Sequence, residues 1–260
     1  MPRYDETSQS GEAAMSTRPT IELGKRGTLI GGRYRLLYPL GEGSRGFVWA
    51  ALNDAAGREV ALKLFSSADP ELRERVQRSA RCLGALQHER IVEHYDFGET
   101  ADGTPYLVTQ LLQGETLADT LKTKGWLSQP EAARFGRDIA LALDAIHTSR
   151  MVHGNLTSWN VFLHRESGAK DTAVKLLDIG LGERPPWFDS LLMAKEEAVD
   201  SVMYMSPEQV RGHQDIDHRA DIWALGIVMF EMLSGARPFA GLRTRFIQRA
   251  WSTGTSSPGT

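Results

Sequence analysis

Gly41-Glu42-Gly43-Ser44-Arg45-Gly46-Phe47-Val48 is followed shortly by Val60-Ala61-Leu62-Lys63, and these two stretches decide the fold. The first reads G-x-G-x-x-G, which alone is a weak signal. In a dinucleotide-binding fold it would open a helix and be followed by an acidic residue roughly twenty positions on. Here the apolar and aromatic residues on either side predict strands at 34–38 and 47–51, with a third at 59–65. Lys63 stands amid Val, Ala and Leu in that third strand. A lysine there is costly to bury without an anionic partner, and phosphate is the natural candidate.

Working outward, Asp69-Pro70-Glu71 predicts a helix start, with Asp69 as N-cap and Pro70 in the first turn, running to about residue 86. Strands near 91–97 and 106–110 complete a small antiparallel sheet. Beyond Gln113-Gly114 the pattern becomes helical. Ser128-Gln129-Pro130-Glu131 reads as a capping box. It opens a helix to about residue 147, with Phe135, Ile139, Leu143 and Ile146 at helical spacing. Short strands at 161–163 and 174–177 precede a Pro- and charge-rich loop at 180–200 and an apolar helix at about 221–233. Residues 1–28 read as a flexible arm, within which Met15 is an alternative start, and 252–260 as a polar tail.

Composition sets outer bounds. The 260 residues are 41% hydrophobic and 24% charged, the globular range, with net charge −3, which removes the basic signature of a dedicated nucleic-acid binder. One cysteine, Cys82, excludes an internal disulfide framework and suits a reducing compartment. The apolar run at 223–233 contains Gly226 and Glu231 and falls short of a membrane span. With no apolar signal core near the start, the expectation is a cytoplasmic protein without a transmembrane segment.

Further motifs follow in order: His153-Gly154-Asn155-Leu156-Thr157-Ser158-Trp159-Asn160, Asp178-Ile179-Gly180, Tyr204-Met205-Ser206-Pro207-Glu208-Gln209, and Asp217-His218-Arg219-Ala220-Asp221-Ile222-Trp223. With the glycine turn and the lysine strand, the chain resembles the protein kinase family, and within it bacterial Ser/Thr kinases, over residues 34–241. The resemblance implies a bilobal α+β fold: a small β-sheet lobe with one helix (34–112), then a mostly helical, C-terminally truncated lobe (113–241), with a partial helix and polar tail at 242–260. It implies ATP and Mg²⁺ as cofactors. Leu40, Gly41, Gly43 and Gly46 would cover the nucleotide, and Lys63 would hold the α- and β-phosphates. Val48 and Ala61 would roof the adenine and Phe162 floor it, Thr109 would stand at the gate, and the backbones of Gln110 and Leu112 would pair with the base. Asn160 and Asp178 would bind the metal.

Departures from the family pattern fall on the transfer step. Asn155 stands where the family has the aspartate that accepts the substrate hydroxyl's proton, and an amide is no base. General-base help is worth roughly 10²- to 10⁴-fold. Yet transfer through a loose transition state depends most on positioning and charge, so an amide that orients a hydroxyl can support slow turnover. Gly154 replaces the arginine that reads a phosphorylated activation loop, and Thr157 replaces a lysine near the γ-phosphate. Ile179 replaces a phenylalanine. Alignment back from Leu86-Gln87-His88 places Ser79 where the family has the glutamate that pairs with Lys63, and Glu74 is about 140° away around the helix.

The expectation is therefore a Ser/Thr kinase homologue that binds Mg-ATP with transfer weak or lost, acting on an unidentified protein substrate or signalling partner. The alternatives are an active but slow kinase, or an interaction protein or fragment that binds no nucleotide. His213, Asp215, Asp217 and His218 read as solvated residues rather than a metal cluster, and the family has a structural histidine at the position of His88. Pro185-Pro186-Trp187-Phe188 reads equally as a docking site or as packing, with Ser190 and Ser201 as candidate phosphoacceptors.

Overall fold

The structure is a computed structural model that describes residues 24–43, 46–66, 70–165, 168, 172–181, 201–213 and 215–239. Among these, the first part is a six-stranded sheet in the order β1-β2-β3-β4-β6-β5, all antiparallel. Its strands are β1 (Leu29–Ile30), β2 (Tyr34–Gly43), β3 (Gly46–Asn53), β4 (Arg58–Phe65), β5 (His94–Glu99) and β6 (Pro105–Thr109). The helix α1 (Pro70–Gly84) connects β4 to β5. The text of β4 explains its two faces. Val60, Leu62 and Leu64 are buried and join Tyr34, Leu36, Trp49 and Val108 in one core, while Ala61 and Lys63 between them face the other way, as period-2 alternation requires.

The lower part begins with β7 (Gly114–Thr116), which pairs with β8 (Val161–Arg165) and through it with β9 (Thr172–Leu176). The helix α2 (Leu117–Lys124) starts on Thr116, whose hydroxyl oxygen accepts the Asp119 N–H. The long helix α3 (Gln129–Thr148) buries Phe135, Ile139, Leu143 and Ile146 on one face, the face its spacing predicts. At its start the Glu131 carboxylate accepts from both the Ser128 N–H and the Ser128 hydroxyl, which holds that carboxyl below its usual range. Ser128→Ala should cost about 1 kcal/mol of unfolding free energy, read from urea denaturation; an unmoved midpoint would remove the cap from the account. One-turn α4 (Pro207–Val210) and α5 (Arg219–Ser234) complete the described α-helices. Among the described residues no helix is long and apolar enough to cross a membrane.

Three expectations are corrected. The flexible arm does not extend to residue 28: Gly27 N–H donates to the Leu36 carbonyl at 2.7 Å and Leu36 N–H to the Thr28 carbonyl at 2.9 Å, leading into β1. Gly24, Gly27, Gly31 and Gly32 give this segment the composition of a linker. The strand placed at 91–97 starts at His94, because Ile91 instead forms a parallel bridge to Leu176. The helix placed at 70–86 ends at Gly84. The Asp69 cap, most of the loop at 180–200 with Pro185 to Phe188 and Ser190, Met15, and residues 242–260 lie outside the described residues.

Candidate functional site

Between the sheet and the helical part lies a cleft of about 480 Å³, within the range of small-molecule sites. Its roof follows from strand register. Val48 pairs with Lys63, Ala61 with Thr109 and Lys63 with Leu107, so these residues share the sheet face opposite the core, and all line the cleft. Leu40 and Gly41 of β2 cover one end, Gln110, Leu111 and Leu112 form the back, and Phe162 of β8 the floor. Asn155, Asn160 and Asp178 stand at the inner, polar end. Of the residues assigned to the nucleotide and metal by resemblance, Gly46 lies outside the cleft lining, and Gly43 and Gly46 are paired in the sheet as the last register pair of β2 and β3. Gly46 has φ +145, and a Cβ there would fall 1.9 Å from the Leu64 carbonyl oxygen, so the tight strand crossing demands glycine.

The chemistry-bearing side chains are held by backbone clamps. Asp221, 1% exposed on α5, accepts the His153 and Gly154 N–H groups at 2.8 Å each and contacts His147 Nε2 at 2.8 Å. Gly154 has φ +70, a conformation an arginine adopts only under strain, and Gln209 Nε2 donates to its carbonyl at 2.9 Å. Asn160 Nδ2 donates to the Asn155 carbonyl at 2.8 Å, which fixes the amide plane of Asn160. Ser158 meets the Tyr204 hydroxyl at 2.9 Å, and Tyr204 donates to Glu231 at 2.5 Å; burial and that carboxylate push the Tyr204 phenol far above its usual value.

Lys63 finds its anion in Asp178. Their Nζ–Oδ2 distance is 2.5 Å, with both side chains about four-fifths buried. Asp178 itself sits at φ +54, in the left-handed region that Asp tolerates better than most residues. Ser79 is buried on α1 with its hydroxyl 2.6 Å from the Ile179 carbonyl, whereas Glu74 is exposed. The polar end thus presents a cation, a carboxylate and an amide around one space, beneath an apolar slot. A metal read from chemistry alone fits it: Asn160 and Asp178 offer hard oxygen donors, the set Mg²⁺ takes when phosphates and waters complete its shell. The Gln110 N–H is engaged with the Glu93 carbonyl at 2.9 Å.

The sequence profile of the protein kinase domain matches residues 34–253. The chain belongs to the protein kinase family. Curated relatives include the probable serine/threonine-protein kinase PknB of Corynebacterium glutamicum, 34% identical over 219 residues that cover 82% of this chain and 33% of that protein. Serine/threonine-protein kinase PknA of Mycobacterium tuberculosis is 34% identical over 223 residues, covering 83% and 50%. The crystal structure of the Mycobacterium tuberculosis PknI kinase domain superposes with a TM-score of 0.68 at 26% identity, covering 82% of this chain and 79% of that one. The chain spans a third to a half of the length of these two curated relatives. Its fold is the kinase fold, and the family uses ATP and Mg²⁺ in general.

Sequence reading missed several residues that line the kinase cleft: His94, Thr116, Asp119 and Trp159. Burial lowers the His94 pKa, and its Nδ1–H donates to the Val92 carbonyl at 3.0 Å. Thr116 and Asp119 look like helix-cap residues in the text and are that too; nothing local signals that α2 begins at the cleft wall. Ser201, read as a candidate phosphoacceptor, lines the same cleft. No group of three His, Cys, Asp or Glu among the described residues is placed to hold a metal. Asp217 instead pairs with Arg219 at 2.8 Å, and those hydrogen bonds lower its pKa to about 2.

Proposed function

We propose that this kinase domain binds Mg-ATP in the cleft and transfers phosphate to protein hydroxyls slowly or not at all. The observation that carries this reading is the meeting of Lys63, Asn160 and Asp178 at the polar end of the apolar slot, with Asn155 in the place of a base. Leu40, Val48, Ala61 and Phe162 would sandwich a planar base, and Gln110 and Leu112 would present backbone groups to its edge. Gly41, Gly43 and Gly46 would let the β2–β3 turn approach the phosphates. Lys63 would turn from Asp178 toward the α- and β-phosphates. Asn160 and Asp178 would hold Mg²⁺, whose charge offsets that of the phosphate oxygens during transfer.

Asn155 decides the rate. Its amide can align an acceptor hydroxyl but cannot take the proton, which must leave to water. The output of such a domain would be a nucleotide-dependent interaction with a signalling partner.

A thermal melt of the full chain with and without Mg-ATP tests the binding. At a hundredfold excess over Kd, binding adds about 2.7 kcal/mol, a shift of roughly 5 to 10 °C for a domain of this size. ATP with chelator should give a smaller shift. A cooperative transition that does not move would replace this reading with a scaffold that binds no nucleotide. Label transfer from γ-labelled ATP, lost on Asp178→Ala, would instead mark an active kinase.

A further inference from the structure

Ser79 is buried on α1, and its hydroxyl donates to the carbonyl of Ile179, the residue after Asp178. Both residues are buried, at 2% and 0% exposure. The turn they share is drawn in from two other sides. Leu177 N–H donates to the Asn160 carbonyl at 2.9 Å, and Gly180 N–H to the His153 carbonyl at 3.0 Å. These two bonds tie the turn to the lower lobe; Ser79 ties it to α1. The approach is close: a Cβ on Gly180 would lie 3.6 Å from Ser79 Cβ. Between the anchors Asp178 holds a left-handed backbone, a conformation that persists when its surroundings over-determine it.

We infer that Ser79 is a positioning residue for Asp178. Its hydroxyl locks the turn so that the carboxylate faces Lys63 and the space beside Asn160. A glutamate on α1 would order Lys63 directly. Here α1 orders the acidic member of the Lys63–Asp178 pair, and the lysine follows its partner. The substitution moves the tether between α1 and the site from a side-chain ion pair to a hydrogen bond on the backbone next to the metal ligand. The inference rests on the Mg-ATP reading for its consequence in binding, while the tether itself stands on the nucleotide-free structure.

Hydrogen exchange on the full chain without nucleotide reads the tether. In Ser79→Ala the Ile179 carbonyl loses its donor in a buried site, and the amides of residues 177–181 should exchange roughly tenfold faster. Amides of α3 should be unchanged. Unchanged exchange at 177–181 would overturn the inference, and so would acceleration spread evenly through α1 and α3, which marks general loosening.

A second arm compares affinities for ATP with Mg²⁺ and with chelator. Ser79→Ala should weaken Mg-ATP binding roughly tenfold more than binding of metal-free ATP. Equal losses, or none, would overturn it. If the parent binds no nucleotide, the Mg-ATP reading fails on its own, and the exchange experiment still decides whether Ser79 holds the turn.

Discussion

Asn155→Asp should raise phosphoryl transfer from ATP to a protein hydroxyl by roughly 10²- to 10⁴-fold, about 3 to 5 kcal/mol of barrier. The site is otherwise arranged for it. The Asn155 backbone carbonyl already receives Asn160 Nδ2, and the loop is fixed by Asp221 from below. The new carboxylate would line the same cleft as Lys63 and Asp178, so the acceptor hydroxyl would gain a base without any change of fold. The assay is incorporation of γ-labelled phosphate into a mixed protein acceptor, with the double variant carrying Asp178→Ala as the blank. An unchanged rate would mean that proton removal is not what limits transfer. The limit would then lie with Thr157, which replaces a cation, or with the positioning of Lys63.

The second large effect is on stability. Asp221→Ala should cost about 3 to 5 kcal/mol, a drop in Tm of roughly 10 °C or more. The carboxylate is buried and serves two backbone N–H groups and His147 at once. Alanine leaves those donors without their acceptor, the His153 N–H in a buried site, at about 1 to 3 kcal/mol each. Such a loss takes a third or more of the total stability of an ordinary domain. Asp221→Asn keeps one oxygen and should fall between. A Tm within two or three degrees of the parent would show that the loop at 153–160 holds its shape without Asp221, contrary to the geometry.

Much of the site was readable because the chemistry is local in sequence. The glycine turn and Lys63 lie on adjacent strands, so register alone brings them together. Asn155 and Asn160 share one loop. The helices of the lower lobe followed from the helical spacing in α3 and the apolar run of α5, and its fold from the family resemblance. What the text could not give is the partner of Lys63. Sequence says that Ser79 cannot pair with it and that Glu74 points elsewhere; it does not say that Asp178, over a hundred residues away, takes the role. The hydroxyl bond from Ser79 to a main-chain carbonyl is equally silent, because a backbone acceptor has no sequence signature. His94 and Trp159 were passed over for a related reason. His94 lies in a stretch read as a strand and Trp159 within the 153–160 motif, and only the meeting of two lobes shows that their side chains border the cleft.

Residues 88–92 belong, by their bonds, to the lower lobe. Val92 N–H donates to Leu176, Leu176 N–H to Arg90, and Arg90 Nε lies 3.0 Å from the Asp138 carboxylate on α3. The chain therefore crosses between lobes at Glu93 and again just after Gln110, and these crossings are bonded to each other at 2.9 Å. Two adjacent strands, fastened side by side and anchored below, form a leaf hinge: bending across the pair is soft, while twisting would break the bond that joins them. Such a pair of crossings would favour opening of the sheet about one axis over twisting. Lys63 and Asp178 lie on either side of the cleft, 2.5 Å apart at Nζ and Oδ2, so a spectroscopic ruler across those two residues would read any such opening directly.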